Sequence, residues 1–178
     1  MILNWPDNIP CERKPCDYWL WDDVREGLDK LVNGSTRCYC ELGSWCGASA
    51  RYVAERAKHA TIWCIDTWDG RGLEQHPDAD KCLQLFQANL WPYRDRVFMI
   101  QARTTDGVLE VCQVPDVIYI DAEHTQAAVS ADLAACQMLW PTAIICGDDY
   151  NVAGVQQALS HYKIEIGRCS MFWRLRHA

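Results

Sequence analysis

Along residues 17–33, apolar side chains recur at Trp21, Val24, Leu28, Leu31 and Val32, close to a helical period, and Asn33-Gly34 then supplies a stop signal. Beyond that point short apolar runs alternate with segments of helical period. Cys38–Leu42 predicts a buried strand, Gly43 to Gly47 a tight loop, and Ala50, Val53, Ala54 and Ala57 the inner stripe of a helix. Thr61–Asp66 predicts a second strand; a polar stretch at 67–77 then precedes a helix carrying Cys82, Leu85, Phe86 and Leu90. Residues 97–100 predict the third strand, with a short helix near 106–112, and residues 116–121 the fourth. A helix with Val129, Leu133 and Cys136 closes at Pro141 and leads to a fifth strand at 142–148. A last helix near 155–162 is followed by two short strands, 163–166 and 171–175.

Such alternation predicts a parallel sheet with helices on both faces. The run Asp116-Val-Ile-Tyr-Ile-Asp121 suits a strand buried on both sides. The expected fold class is α/β, a single-domain doubly wound sheet of seven strands with the last one antiparallel. Residues 67–77 are the least patterned stretch and are expected to form a substrate-side loop.

The 178 residues suit one domain with a real core, and 49% hydrophobic with 23% charged residues is a globular composition. No apolar run is long enough to span a bilayer, and Met1 to Pro10 lacks the basic start and apolar stretch of a secretion signal. A cytoplasmic location and no membrane partner are therefore expected. The net charge of -7 argues against a nucleic-acid partner, since phosphate binding is largely neutralisation by Lys and Arg. The eleven cysteines are odd in number and form no C-x-x-C pair, so core thiols are expected rather than disulfides. Cys38 and Cys40 share a strand face, where packing is preferred over a metal pair.

Right-handed crossovers place the strands' carboxyl ends on one edge, where ligands of such sheets bind. The first strand runs into Glu41-Leu-Gly-Ser-Trp-Cys-Gly47, the second ends in Asp66, the fourth in Asp121 and the fifth in Asp148-Asp149. Singly, each reads as a turn or a cap. Together on one rim they predict a site. Gly43 allows a sharp turn, and Gly47 a close approach of the next helix. Trp45 stands where a dinucleotide fingerprint has its second Gly, which disfavours a pyrophosphate and hence NAD. Asp66 is well placed to accept hydrogen bonds from two ribose hydroxyls.

The run Glu41-Leu-Gly-Ser-Trp-Cys-Gly-Ala-Ser49 resembles the first motif of class I S-adenosylmethionine methyltransferases, and Ile65-Asp66-Thr-Trp68 the strand ending that follows it. Asp116 to Thr125, Gly147-Asp-Asp-Tyr150 and Gly154-Val155 are similar to a small branch that includes metal-dependent O-methyltransferases of sugar and antibiotic biosynthesis. The resemblance implies a Rossmann-like fold, with 37–178 as the S-adenosylmethionine-binding methyltransferase domain after an N-terminal helical segment, 1–36. It implies that Gly43, Ser44 and Gly47 line the donor's methionine portion, with Glu41 near its amino group. Asp66 would bind the ribose, Thr67 and Trp68 would flank the adenosine, Arg103 and Thr104 would lie near the adenine, and Asp121 would border the donor. At Arg103 the family often has an acidic residue. By the same resemblance, Asp121, Asp148 and Asp149 would hold a divalent ion, and Glu123 would take the place of the general base.

An independent reason supports an ion: three ionised carboxylates on one rim repel unless a cation, protons or a basic partner compensates. All-oxygen ligation suits Mg²⁺ or Mn²⁺. The plainer alternative is that Asp149 caps the next segment and Asp148 faces solvent. His124 competes with Glu123 as base, since its ordinary pKa suits proton transfer at neutral pH, or it simply begins the helix. The expected function is O-methylation of a small hydroxylated acceptor assisted by a divalent metal. Alternatives are a metal-independent N- or O-methyltransferase, a non-catalytic donor-binding module, and an NAD-linked reductase on the same scaffold. Trp5, Trp19 and Trp21 are expected to cover the acceptor pocket or form the subunit contact of a homo-oligomer; Trp63 and Trp140 are expected in the core.

Overall fold

The computed structural model describes residues 1–13, 20–70 and 76–176. Trp19 and parts of the 17–33 and 67–77 expectations lie outside the described residues. Eight strands form one sheet: β1 (Ile2–Leu3), β2 (Cys38–Leu42), β3 (Thr61–Asp66), β4 (Val97–Gln101), β5 (Val117–Ile120), β6 (Ile144–Gly147), β7 (Ile164–Ile166) and β8 (Trp173–Leu175). Their order is β1-β4-β3-β2-β5-β6-β8-β7. The helices are α1 (Asp22–Leu31), α2 (Ala48–Arg56), α3 (Cys82–Leu90), α4 (Thr104–Gly107), α5 (Gln126–Leu139) and α6 (Ala153–Leu159).

The strands β4, β3, β2, β5 and β6 run parallel, and β8 runs antiparallel to both neighbours. All seven expected strands are present, with β8 as the reversed one. An eighth was not expected: β1 pairs antiparallel with Ile100 and Met99 of β4. Two residues carry no period for a pattern to reveal, and the terminal ammonium fixes this strand by pairing with Glu110. The first predicted helix is shorter than expected, and Trp21 sits at its N-cap with 51% of its surface exposed instead of on the inner stripe.

Alternate residues of each strand point to opposite faces. Tyr39, Ile62, Cys64, Met99 and Tyr119 face one way, against Val24 and Leu28 of α1, Ala50 and Val53 of α2, and Phe86 of α3. Cys38, Cys40, Leu42, Trp63, Ile65 and Ile118 face the other, against Val129 and Leu133 of α5 and Val155 of α6. Each fully buried large aliphatic side chain contributes about 1.5–3 kcal/mol. Trp63 and Trp140 are buried as expected. Trp5 is not a pocket cover: its indole N–H donates to the Val97 carbonyl at 3.0 Å, and its ring lies against Phe86 and Trp91. Cys38, Cys40, Cys46, Cys64, Cys82, Cys136 and Cys146 are buried, and none forms a disulfide among the described residues. Burial pushes the Cys38 and Cys136 thiols up to about 12, which keeps them protonated and unreactive. No helix among the described residues is long and apolar enough to cross a membrane.

Between β2 and β5 the strand order reverses, the position at which open α/β sheets ordinarily bind ligands outside the carboxyl ends of their strands. Behind this point Arg96 ties the sheet to α2. One guanidinium nitrogen donates to the carbonyls of Ala57 and Ala60 at 3.1 Å each, and the other to that of Ala54. These carbonyls end the helix and its following turn without intrahelical partners. Arg96→Ala should therefore lower unfolding free energy by about 1–3 kcal/mol in urea denaturation, and a loss below about 0.5 kcal/mol would show that water replaces the guanidinium without cost.

Candidate active site

Gly43 follows β2 with φ 87° and donates its N–H to the Ile65 carbonyl at 2.8 Å. A Cβ at this position would stand 1.9 Å from the Asp121 carbonyl oxygen. The glycine thus serves more than the expected turn: it leaves room for the loop after β5. Gly47 has φ 81°, and a Cβ there would meet Leu90 at 2.3 Å, so the element that approaches it closely is α3 rather than the expected following helix. Both glycines sit in the left-handed region, where a side chain is strained.

Glu41 is fully buried on the inner face of β2, in register with Tyr119 of β5 and Cys64 of β3. Its Oε2 accepts from the Tyr39 hydroxyl at 2.9 Å. Among the described residues its Oε1 has no partner at hydrogen-bonding geometry, and neither has the Ser44 hydroxyl. Burial pushes the Glu41 carboxyl up to about 8, although the Ser49, Tyr39 and Ser44 hydroxyls nearby favour its ionised form. The Tyr119 hydroxyl is also buried without a partner. Glu41 and Ser44 were expected at the site, but the Tyr39, Ser49 and Tyr119 hydroxyls beside them were not; their signal was the alternation Tyr39, Glu41 in an otherwise apolar strand.

Asp66 ends β3 on the same rim, but its oxygens already have partners. Oδ2 accepts from the backbone N–H of Ser44 at 2.9 Å and of Trp45 at 2.8 Å, and Oδ1 from that of Trp68 at 2.7 Å. Burial raises its pKa, opposed by these three donors. Asp66 therefore clamps the glycine loop. Thr67 is half-buried, with its hydroxyl on Asp69 and its carbonyl held by Gln101. Trp68, expected to flank the adenosine, is buried with its ring 5.1 Å from Phe86, and its indole N–H donates to the Trp45 carbonyl at 2.9 Å.

The ends of β5 and β6 bring Asp121, His124 and Asp149 together. His124 Nε2 lies 3.4 Å from Asp121 Oδ1 and 3.0 Å from Asp149 Oδ2. One ligand atom from each of the three falls within 4.8 Å of the others. Hydrogen bonds to Asp121 and Asp149 push the imidazole up to about 10, so it is a cation at neutral pH. Burial raises Asp121, with His124 opposing. The side-chain atoms that converge are those of Asp121, His124 and Asp149; of the three carboxylates expected to hold an ion, Asp148 lies outside this group. Asp148 does not face solvent either. It is buried, its Oδ1 accepts from the Asp149 N–H at 2.7 Å, and burial with the neighbouring Asp121 charge pushes it up to about 8. Asp149 has φ 55°, a strained conformation that turns it back to the rim. Nor does His124 begin the helix, because Thr125 is the N-cap and accepts from Ala128 N–H at 3.2 Å. A Cβ at Gly154 would come 2.2 Å from the His124 carbonyl, so α6 seats this residue. Glu123 is exposed and accepts from the Thr125 hydroxyl at 3.0 Å.

Arg103 is exposed at the N-cap of α4. Thr104 instead joins two helices: its hydroxyl donates to Asp132 Oδ1 on α5, a carboxyl that burial pushes up to about 6. The structure therefore gathers Glu41, Gly43, Ser44, Gly47, Asp66, Asp121, His124, Asp148 and Asp149 at one sheet edge, while Glu123 and Arg103 lie on its surface.

The sequence pattern of a methyltransferase-domain family matches residues 40–150, from the glycine strand to the Asp148-Asp149 turn. The chain belongs to this family. It is an S-adenosylmethionine-dependent methyltransferase with the corresponding Rossmann-like fold. No curated protein is a significant match in sequence. Among solved structures, precorrin 8w decarboxylase of Methanobacterium thermoautotrophicum is similar with TM-score 0.63 and 12% identity, over 98% of this chain and 97% of that one. An S-adenosylmethionine-dependent O-methyltransferase of Thermotoga maritima is similar with TM-score 0.58 and 11% identity, over 94% and 68%. A TDP-rhamnose 3′-O-methyltransferase of calicheamicin biosynthesis gives TM-score 0.60 and 16% identity, over 90% and 81%. At these identities the likeness shows the shared fold.

The buried Glu41 makes stability depend on pH. An unfolded Glu titrates near 4.3, whereas the folded methyltransferase retains this proton up to about 8. Between those values the folded state binds the extra proton, so this residue makes stability fall as pH rises. Glu41→Gln should flatten that decline in thermal denaturation from pH 5 to 9; an unchanged slope would show that Glu41 is ionised when empty.

Proposed function

We propose that this methyltransferase acts on the hydroxyl oxygen of a small acceptor, with a divalent ion at the rim formed by Asp121, His124 and Asp149. The observation that carries this reading is the meeting of those three side chains beside the loop seated against Gly43. The donor supplies an electrophilic methyl on a sulfonium, and its displacement depends on alignment and exclusion of water. The turn between Gly43 and Gly47 would receive its methionine portion, with the unpartnered Glu41 Oε1 available to its ammonium. A cation at that oxygen favours the ionised carboxylate and offsets its burial. Asp66 would reach the ribose with its remaining lone pair, since a carboxylate has about four acceptor sites. Thr67 and Trp68 would border the adenosine through their backbone, and Arg103 would reach the adenine from the surface, with Thr104 behind it.

A bound divalent ion would lower the pKa of an acceptor hydroxyl. Two carboxylates and an imidazole suit Mn²⁺ at least as well as Mg²⁺, whereas recruiting Asp148 in place of His124 would favour Mg²⁺. His124 as a cation has no lone pair to take a proton. It becomes a base or ligand only after losing the proton shared between Asp121 and Asp149. Glu123 is the weaker base candidate, being exposed and turned to Thr125. The thiols of the described residues, none of them in a disulfide, suit a reducing cytoplasm.

One observation favours a second reading. The His124 imidazolium already supplies a positive charge between the two carboxylates, so transfer could proceed without metal. Methyl-labelled donor, a panel of catechol and sugar acceptors, and EDTA followed by Mg²⁺ or Mn²⁺ separate the two. The metal reading expects loss of turnover in EDTA, recovery with one ion, and a drop on the order of 100-fold or more in Asp121→Asn and Asp149→Asn. Full turnover in EDTA would remove the ion from the mechanism.

A further inference from the structure

Trp45 occupies the middle of the glycine loop in a conformation unusual for its size. Its φ is 44°, in the left-handed region that favours glycine. Three contacts hold it there. Its N–H donates to Asp66 Oδ2 at 2.8 Å, its carbonyl accepts from the Trp68 indole at 2.9 Å, and its ring meets His76 edge-on at 5.4 Å. The backbone is thus fixed at both ends and the indole lies between its own loop and the segment after β3. Its Nε1 is shielded from solvent, yet no acceptor is present among the described residues. A buried Trp N–H ordinarily has a partner, because leaving it unpaired forfeits the hydrogen bond it had to water.

We propose that the Trp45 indole N–H is a specificity-determining donor for the methyl donor, hydrogen-bonding to one of its oxygens, on the ribose or on the amino-acid carboxylate. The inference rests on the donor-binding reading of the Gly43–Gly47 loop and adds to it a residue that no glycine fingerprint contains. It also accounts for the strained backbone: Asp66 and Trp68 fix the peptide groups on either side of the Trp45 side chain before the ligand arrives, so less backbone ordering remains for binding to impose. A residue that serves packing alone has no need of an indole nitrogen at this position. Phe would fill nearly the same space.

The test uses ¹⁵N-indole-labelled protein and calorimetry with S-adenosylhomocysteine. The indole cross-peak missing in Trp45→Phe, or in Trp45→His should Phe prevent folding, belongs to Trp45. Binding should move that peak downfield in the unsubstituted protein. Trp45→Phe should bind the ligand about tenfold more weakly, the scale of one lost hydrogen bond, while its unliganded melting temperature stays level or rises because no hydrogen bond is lost. 5′-Methylthioadenosine lacks the amino-acid carboxylate. A penalty that persists with it assigns the nucleoside oxygen, and one that vanishes assigns the carboxylate. An unmoved peak, or unchanged affinity in the variant, overturns the inference while leaving the donor reading intact. Absence of any binding to the unsubstituted protein overturns both.

Discussion

The contact on which the site depends is the seating of the Asp121 carbonyl in the space left by the missing side chain of Gly43. It joins the loop expected to hold the methyl donor to the loop carrying Asp121. Strands β2 and β5 lie side by side in register, Leu42 beside Ile120, so each chain leaves the sheet at the same height. Any Cβ at Gly43 would overlap that carbonyl at 1.9 Å and force the loops apart. The same device recurs at Gly154, where α6 closes on the His124 backbone. The rim is therefore set by backbone packing, and its side chains inherit their positions.

That packing creates an electrostatic problem the chain resolves in layers. Asp121 and Asp148 converge with Asp149 at the rim, and burial disfavours charge on the first two. His124 lies between Asp121 and Asp149 as a cation, and Asp148 beneath them is pushed toward its neutral form. Below that, Glu41 is buried with one oxygen unpartnered. Without a bound cation, the site is balanced by protons. A cationic donor bound there would exchange with those protons, and so would a metal ion if the proposed rim site holds one, which links binding to proton release.

The fold was legible because strands and helices repeat at different periods and the chain alternates them without interruption. Helix α5 shows this clearly, with Val129, Leu133 and Cys136 on one stripe, all buried. Strand ends in Gly or Asp located the rim for the same reason. Three things were not legible. The strand β1 is too short to show a period. The partners of Asp66 depend on a loop folding back through Ser44 and Trp45, a contact between residues more than twenty positions apart. The approach of Asp149 to His124 goes with the positive φ of Asp149, which a sequence of two consecutive acids does not reveal. Trp68 and Thr104 illustrate a general limit: a polar or aromatic residue just past a strand can turn to ligand or to core, and only packing decides which.

The central claim is that the turn from Gly43 to Gly47 and the carboxylate rim form one pocket. A crystal structure with S-adenosylhomocysteine tests it most directly. The account predicts the ligand's amino group beside Glu41, its ribose beside Asp66, and its sulfur facing the cluster of Asp121, His124 and Asp149. Ligand density elsewhere on the molecule, or a glycine loop that still encloses Trp45 with no room for the nucleoside while the ligand binds, would contradict it.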